Sequence, residues 1–416
     1  MFENNLPEAK RKLGAKIICS IELLSPVHIG SGIKLSRGLD FLSENSSTII
    51  ISPSILMDYL RSDREELENF ISGGYKLQML KHLPEGRKYN VKCNSSDILQ
   101  FERNGNSLPY LPGSSIKGAL RTILFKCFLM GMDKEDRCRL LESINPKNKE
   151  SADKEITKKI FGNLPNNNFM RILQIGDAMF EEGSMELFKI YIMNMTDSSK
   201  PCFAWKNVRR KLNTLSPNDA TPVHAEMLQA GSAANFSIKI ENFLFENPQA
   251  IAELGFASRK LTIENLSEEV NRYSREMLES ELKFFQSFKN PLLRHLEAEL
   301  ARIMETIPPE NSEQSKKEMV LRLGWGTGWK SMTGNWIDEQ SLKIIRPDMQ
   351  LGRAGMPFPK TRKIIFEDNE PAQVPGWVKI RLNSAIKEES VKQATVQEED
   401  VFKKLSANFR VTLQRK

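Results

Sequence analysis

Apolar residues recur along this chain with two periods, and the switches between them outline its elements. Residues 16–24 (KIICSIELL) form a short β-branched run ended by Ser25 and Pro26, as a buried strand would. Residues 39–42 and 48–51 read as a hairpin turning through Ser43-Glu44-Asn45-Ser46, and a helix is expected from Pro53 with Ser52 as its cap. From Ile116 the apolar positions are 116, 119, 120, 123, 124, 127 and 128, one helix face over about three turns. The preceding prolines and Gly113 cannot extend that helix backwards, so Ser114 or Ser115 is the expected cap. Residues 133–168 are charged and Asn-rich without a sustained period, and read as an exposed insertion. Strand character returns at 171–180 and 187–193, and residues 224–240 read as a strand, a turn at Gly231 and a partner strand. Between 247 and 307 the spacing of Leu282, Phe285, Leu292, Leu296, Leu300 and Ile303 predicts a helical layer, broken at Asn290-Pro291 and stopped by Pro308-Pro309. Two short strand candidates, 363–366 and 377–382, precede a tail rich in Glu, Lys and Gln.

A length of 416 residues gives room for two domains, each with its own core. Lys and Arg exceed Asp and Glu by only 60 to 53, so a polyanion would need a local basic face. Five scattered cysteines with no C-x-x-C pair exclude a common zinc or redox motif and fit a reducing cytoplasmic setting. The run at 17–24 is too short, and too interrupted by Glu22, for a membrane span or signal segment. Neither a Walker A loop nor G-x-G-x-x-G is present, no two of the four histidines have metal-ligand spacing, and no G-x-S-x-G elbow occurs. No cofactor or metal is expected.

Two stretches carry candidate chemistry. In Gly324-Trp325-Gly326-Thr327-Gly328-Trp329, followed by Lys330 and Ser331, glycines let main-chain amides approach a polyanion and tryptophans offer stacking faces worth about 1–3 kcal/mol per base. A tight turn whose tryptophans are core is the alternative. In Gly113-Ser114-Ser115-Ile116-Lys117-Gly118-Ala119-Leu120-Arg121, Lys117 and Arg121 lie one turn apart near the positive end of a helix dipole. With free amides, serine hydroxyls and Gly118 they describe a phosphate site; an ordinary core helix with two solvated cations is the alternative. His28, in the loop Pro26-Val27-His28-Ile29-Gly30-Ser31-Gly32, could act as general base on a ribose hydroxyl, as a structural hydrogen-bonder or as an RNA contact. The nearest following carboxylate, Asp40, reads as a turn or edge residue. Arg209-Arg210-Lys211 and Lys360-Thr361-Arg362 are short basic runs, open to solvation or to nucleic-acid contact.

The motifs LSPVHIGSG at 24–32, LPGSSIKGALR at 111–121 and GWGTGW at 324–329, in that order, resemble the RAMP superfamily of CRISPR-associated proteins. FPKTR at 358–362 and PGWVK at 375–379 add a resemblance to the branch that supplies the fifth subunit of type III-A Csm complexes. The resemblance implies an α+β fold of two ferredoxin-like (RRM-like) domains with helical insertions. Their expected bounds are 1–215 with an insertion around 133–168, and 216–385 with a helical insertion at 247–307, followed by a charged tail at 386–416. It also implies an RNA-binding structural subunit that caps the 3′ end of the guide RNA (crRNA) and the end of the subunit filament, and takes part in crRNA maturation and antiviral defence. Its expected partners are crRNA, target RNA through the guide duplex, the neighbouring RAMP filament subunit and the small helical subunit, with host nucleases as further candidates.

The slicing relatives carry an aspartate after the H-I-G motif, whereas Ser31-Gly32-Ile33-Lys34 has no acid. The expected RNA-binding residues are therefore His28, Gly30, Ser31, Ser114, Ser115, Lys117, Arg121, Gly324, Trp325, Gly326, Gly328, Trp329, Lys330, Lys360 and Arg362, with none catalytic. Two rivals remain: a metal-independent endoribonuclease trimming crRNA with His28 as base, and an assembly cap that binds only proteins.

Overall fold

The first apolar run becomes a central strand because it is paired along both edges and buries one face. Lys16–Leu23 buries Cys19, Ile21 and Leu23, pairing antiparallel with Ala233–Ile240 on one side and Trp377–Ala385 on the other. Leu173–Ile175 and Glu318–Arg322 add the outer strands of this five-stranded sheet. The helices Gly113–Met130 and Ile263–Gln286 pack on it and on each other. In chain order, strands 16–23, 173–175, 233–240 and 377–385 with these two helices make a β-α-β-β-α-β path, laid out second, third, first, fourth. The computed structural model describes residues 16–385 except 45, 63, 73–86, 143, 145–152, 198–201, 255–260, 338–341, 344–345, 348 and 353–357.

Met185–Asp197, thirteen residues long, is the hub of an eight-stranded sheet. It pairs with Cys202–Asn207, Val223–Leu228 and Thr361–Glu367; beyond these lie Leu212–Thr214, Asp97–Phe101, Gly30–Ser36 and Glu370–Gln373. The hairpin expected at 39–51 forms between Phe41–Glu44 and Ser47–Ile50. The helical layer also breaks where expected: Ile263–Gln286 starts on a Thr262 cap and ends before Asn290, whose side chain accepts from Leu292 N at 3.0 Å to open a new turn. Arg294–Glu305 then resumes the helix.

Four expectations need correction. Val223–Leu228 and Ala233–Ile240 are not partners; Gly231 N donates to Leu23 O at 2.7 Å and the chain crosses there from the large sheet to the other. The strand expected at 171–180 is interrupted, because Phe169–Ile172 is a 3-10 turn and Ala178–Met179 leaves to pair with Tyr110–Leu111. The stretch at 133–168 is no mere excursion. Its helices Lys134–Glu142 and Lys154–Phe161 bury Leu140, Ile156, Ile160 and Phe161, a face too short to show as a sustained period. The boundary at 215/216 divides neither sheet from the other, since both draw strands from each side of it and one hydrophobic cluster runs from Cys19 to Ile380. The tail at 386–416 lies outside the described residues. Among the described residues no helix is long and apolar enough to cross a membrane.

Candidate nucleic-acid interface

The helix that carries Lys117 and Arg121 begins one turn position earlier than expected. Pro112 is its cap and Gly113 its first residue, with neither Ser114 nor Ser115 as cap. Glycine is required at 113, because a Cβ there would lie 2.2 Å from Ile175 O. The cap is supplied from elsewhere: Gly113 N donates to Asp177 Oδ1 at 2.7 Å, a carboxylate at the positive end of the dipole. Ser114 is exposed and Ser115 half-buried on the next two positions, while Ile116, Leu120, Ile123 and Leu124 enter the core.

The glycine-tryptophan loop is wound against the segment after the first strand. Gly324 has φ +89°, and a Cβ on it would sit 2.7 Å from His28 O, the carbonyl that accepts from Trp325 N at 2.8 Å. Thr327 Oγ1 donates to Gly324 O and Ser331 Oγ to Thr327 O, each at 3.0 Å, closing the loop on itself. The helix and the loop then meet. Thr122 Oγ1 donates to Met332 O at 3.1 Å, and a cleft of about 320 Å³ opens between Ser115, Gly118, Arg121 and Thr122 on one wall and Gly324, Thr327, Ser331 and Met332 on the other, with Ile29 between them.

The electrostatics of the helix wall favour an anion. Burial lowers the pKa of both Lys117 and Arg121, and among the described residues neither has a carboxylate at ion-pair distance. Arg121 lies 4.9 Å over the Phe161 ring and feels Asp153 only through space. Lys117 does not line the cleft; it lies one turn before Arg121, which does. Gly118 is exposed, and a Cβ on it would meet nothing within 4 Å. A glycine there costs the helix about 0.5–1 kcal/mol relative to alanine without serving the chain's own packing.

Several expected contacts lie elsewhere. His28 is only 1% exposed; its Nδ1 donates to Glu226 O at 2.7 Å, and its ring stands edge-on to Phe101 and Trp325. Burial lowers its pKa, and this buried brace fits the structural hydrogen-bonding reading of His28 rather than the RNA contact or the rival general base. Trp325, half-buried, covers the apolar cluster of Ile190, Ala225, Met227 and Ile365, with Lys363 Nζ 4.5 Å above its ring. The Trp325 ring is therefore no open platform. Trp329 stands edge-on to Phe358 at 4.9 Å. Gly326 packs against Pro375, while Gly328 is unobstructed.

Arg362 and Lys330 support the loop from behind. The Arg362 guanidinium is buried, grips both oxygens of Glu281 at 2.7 Å and lies 4.1 Å over Phe284. Burial alone would raise the Glu281 carboxyl, but Arg362, Arg322 and Lys330 together hold it below its ordinary value. Arg322 donates to Pro375 O at 2.9 Å, and burial pushes its pKa down to about 10. Lys330 Nζ donates to Ser280 Oγ at 3.1 Å. Lys360 is half-buried, its carbonyl accepting from Met195 N. Gly30 is exposed beside Ile29, and Ser31 Oγ is directed at Gln100.

Sequence reasoning passed over Thr122, Thr327, Ser331 and Met332. Thr122 carried a usable signal, since it lies one turn after Gly118 on the same face; Glu281, alone in a helical pattern, carried none.

A sequence profile of the RAMP superfamily matches residues 20–379. The chain belongs to the RAMP superfamily. The span of the match contains every stretch that builds the cleft of this RAMP chain. A Methanocaldococcus jannaschii relative described as CRISPR system Cms protein Csm5 is 22% identical over 407 residues, covering 87% of this chain and 88% of its own. Two solved structures share the fold. A chain in the cryo-EM structure of a Csm-crRNA-target RNA ternary complex of a type III-A CRISPR-Cas system has TM-score 0.58 and 19% identity, covering 88% of this chain and all of that one. The crystal structure of T. onnurineus Csm5 has TM-score 0.55 and 16% identity, covering 86% and 99%.

Proposed function

We propose that this RAMP chain is a crRNA-binding structural subunit of a type III-A Csm effector complex. It holds the 3′ part of the guide, closes the end of the subunit filament and takes part in crRNA maturation. The observation that carries this reading is the shared cleft, where the cationic first turns of Gly113–Met130 face the Gly324–Met332 backbone. Such a cleft grips phosphates with helix-borne cations, hydroxyls and main-chain groups rather than stacking bases on a sheet. The name of the M. jannaschii relative and the RNA-bound assembly of the solved neighbour support the same class of partner. The β-α-β-β-α-β sheet would be one ferredoxin-like unit and the eight-stranded sheet the framework of a second. Neighbouring filament and small helical subunits would pack on surfaces outside the cleft, and guide-strand pairing would bring target RNA near it.

Replacing Lys117 and Arg121 by alanine is expected to weaken binding of single-stranded RNA and to flatten the log–log salt dependence by about 1.4, the value for two lost phosphate contacts. Fluorescence anisotropy across a salt series checks this. An unchanged slope in a folded variant would remove both residues from the interface.

A further inference from the structure

The basic run Arg209-Arg210-Lys211 takes no part in the cleft. It turns the chain between Cys202–Asn207 and Leu212–Thr214, and Arg209 and Arg210 line a separate depression of about 410 Å³ with Lys189, Tyr191, Asn94 and Asn218. Strand alternation sets the two sites apart: Ile190 lies in the cluster beneath Trp325, so its neighbours Lys189 and Tyr191 face the opposite side of the sheet.

No carboxylate lines this depression, and among the described residues Lys189, Arg209 and Arg210 form no ion pair. Its geometry is preset. Asn207, 7% exposed, accepts from Arg210 N at 2.9 Å and from Thr221 Oγ1 at 3.2 Å, and donates to Asp219 O at 2.6 Å, which pins the turn carrying both arginines. Lys189 Nζ is held 5.5 Å over the Tyr191 ring and donates to Asn369 Oδ1 at 3.2 Å. Arg209 and Arg210, with Lys189 on a rim shared with a neighbouring hollow that holds Glu186, Glu367 and Asp368, concentrate positive potential in a concave, amide-lined site, and the pinned turn reduces the ordering cost of binding. Tyr191 is 4% exposed and offers no face for stacking, so the site can read a backbone but not bases.

We propose that this depression is a second, sequence-independent site for the phosphate backbone of single-stranded RNA. It rests on the reading of the chain as an RNA-binding subunit, but on no residue of the first cleft. The test is fluorescence anisotropy of the full chain with a labelled single-stranded RNA long enough to reach both sites. The chain is compared with Arg209→Gln/Arg210→Gln and, independently, with Lys189→Gln. The arginine variant should flatten the salt slope by about 1.4 and Lys189→Gln by about 0.7, equally for polyuridine and mixed sequences. Unchanged slopes in both variants, with the unmodified chain binding RNA, would overturn this proposal alone. An unmodified chain that binds no RNA would overturn it together with the functional reading. RNA displaced by uridine monophosphate at equal phosphate concentration would assign the site to a free phosphate. Variants that bind RNA normally but leave the reconstituted complex would assign it to an acidic protein partner. Either result overturns the backbone reading.

Discussion

Two buried histidines, His28 and His224, are held neutral by the sheets around them. His224 is fully buried with its Nδ1 2.8 Å from Ser95 Oγ, and burial, reinforced by the Lys189 charge, pushes its pKa down to about 4. A base whose folded pKa lies below its unfolded value binds a proton more readily in the unfolded chain. Stability is therefore expected to fall as pH drops from about 6.5 toward 4, by up to roughly 3 kcal/mol. Urea denaturation across that window should show a shallower loss in His224→Gln than in the unmodified chain; parallel losses would contradict the assignment. The same scale shows why part of the candidate site was hidden. A basic run such as Lys360-Thr361-Arg362 announces charge, but the carboxylate that claims Arg362 is 81 residues away in a helix whose pattern gives no sign of it. Removing one partner of such a buried pair typically costs about 3–5 kcal/mol, which is how a cation can be indispensable without touching a ligand.

Local patterns survived into structure where their causes were local. The 116–128 periodicity, the break at Asn290-Pro291 and the hairpin of Phe41–Glu44 with Ser47–Ile50 depend on neighbours within a few residues, and each forms, although Ser43 and Glu44, expected in the turn, are paired in the strand. Strand partnership depends on distant residues, so Val223–Leu228 and Ala233–Ile240 could be seen as strands but not assigned to different sheets. Elements also separate glycines that serve the fold from one free to serve a ligand. Gly324→Ala is expected to destabilise the protein, since it combines positive φ with a 2.7 Å clash against His28 O. Gly118→Ala should stabilise the helix by about 0.5–1 kcal/mol yet weaken RNA binding, because its new methyl group would stand in open space beside the cleft. Thermal melts paired with anisotropy check both, and a Gly118→Ala variant that binds RNA as before would show that nothing approaches that turn.

At the scale of the molecule, the ordered motifs identify the superfamily, and the convergence of three of them at one cleft gives their order a physical meaning. His28 O, Gly324 and the 115–122 helix face are far apart in sequence and adjacent in space. A cut into two consecutive domains could not be read correctly from length, because the strands of both sheets interleave along the chain around one continuous core. His28 and Trp325, which looked most chemical, turn out to brace the loop, while Ser115, Gly118, Thr122 and Met332 line the cleft beside it. The most direct test is ultraviolet crosslinking of the full chain to single-stranded RNA, with adducts mapped to residues by mass spectrometry. The account predicts adducts within 113–122 and 324–332, with Met332, which is 59% exposed on the cleft wall, among them. RNA bound with adducts absent from both stretches would contradict it.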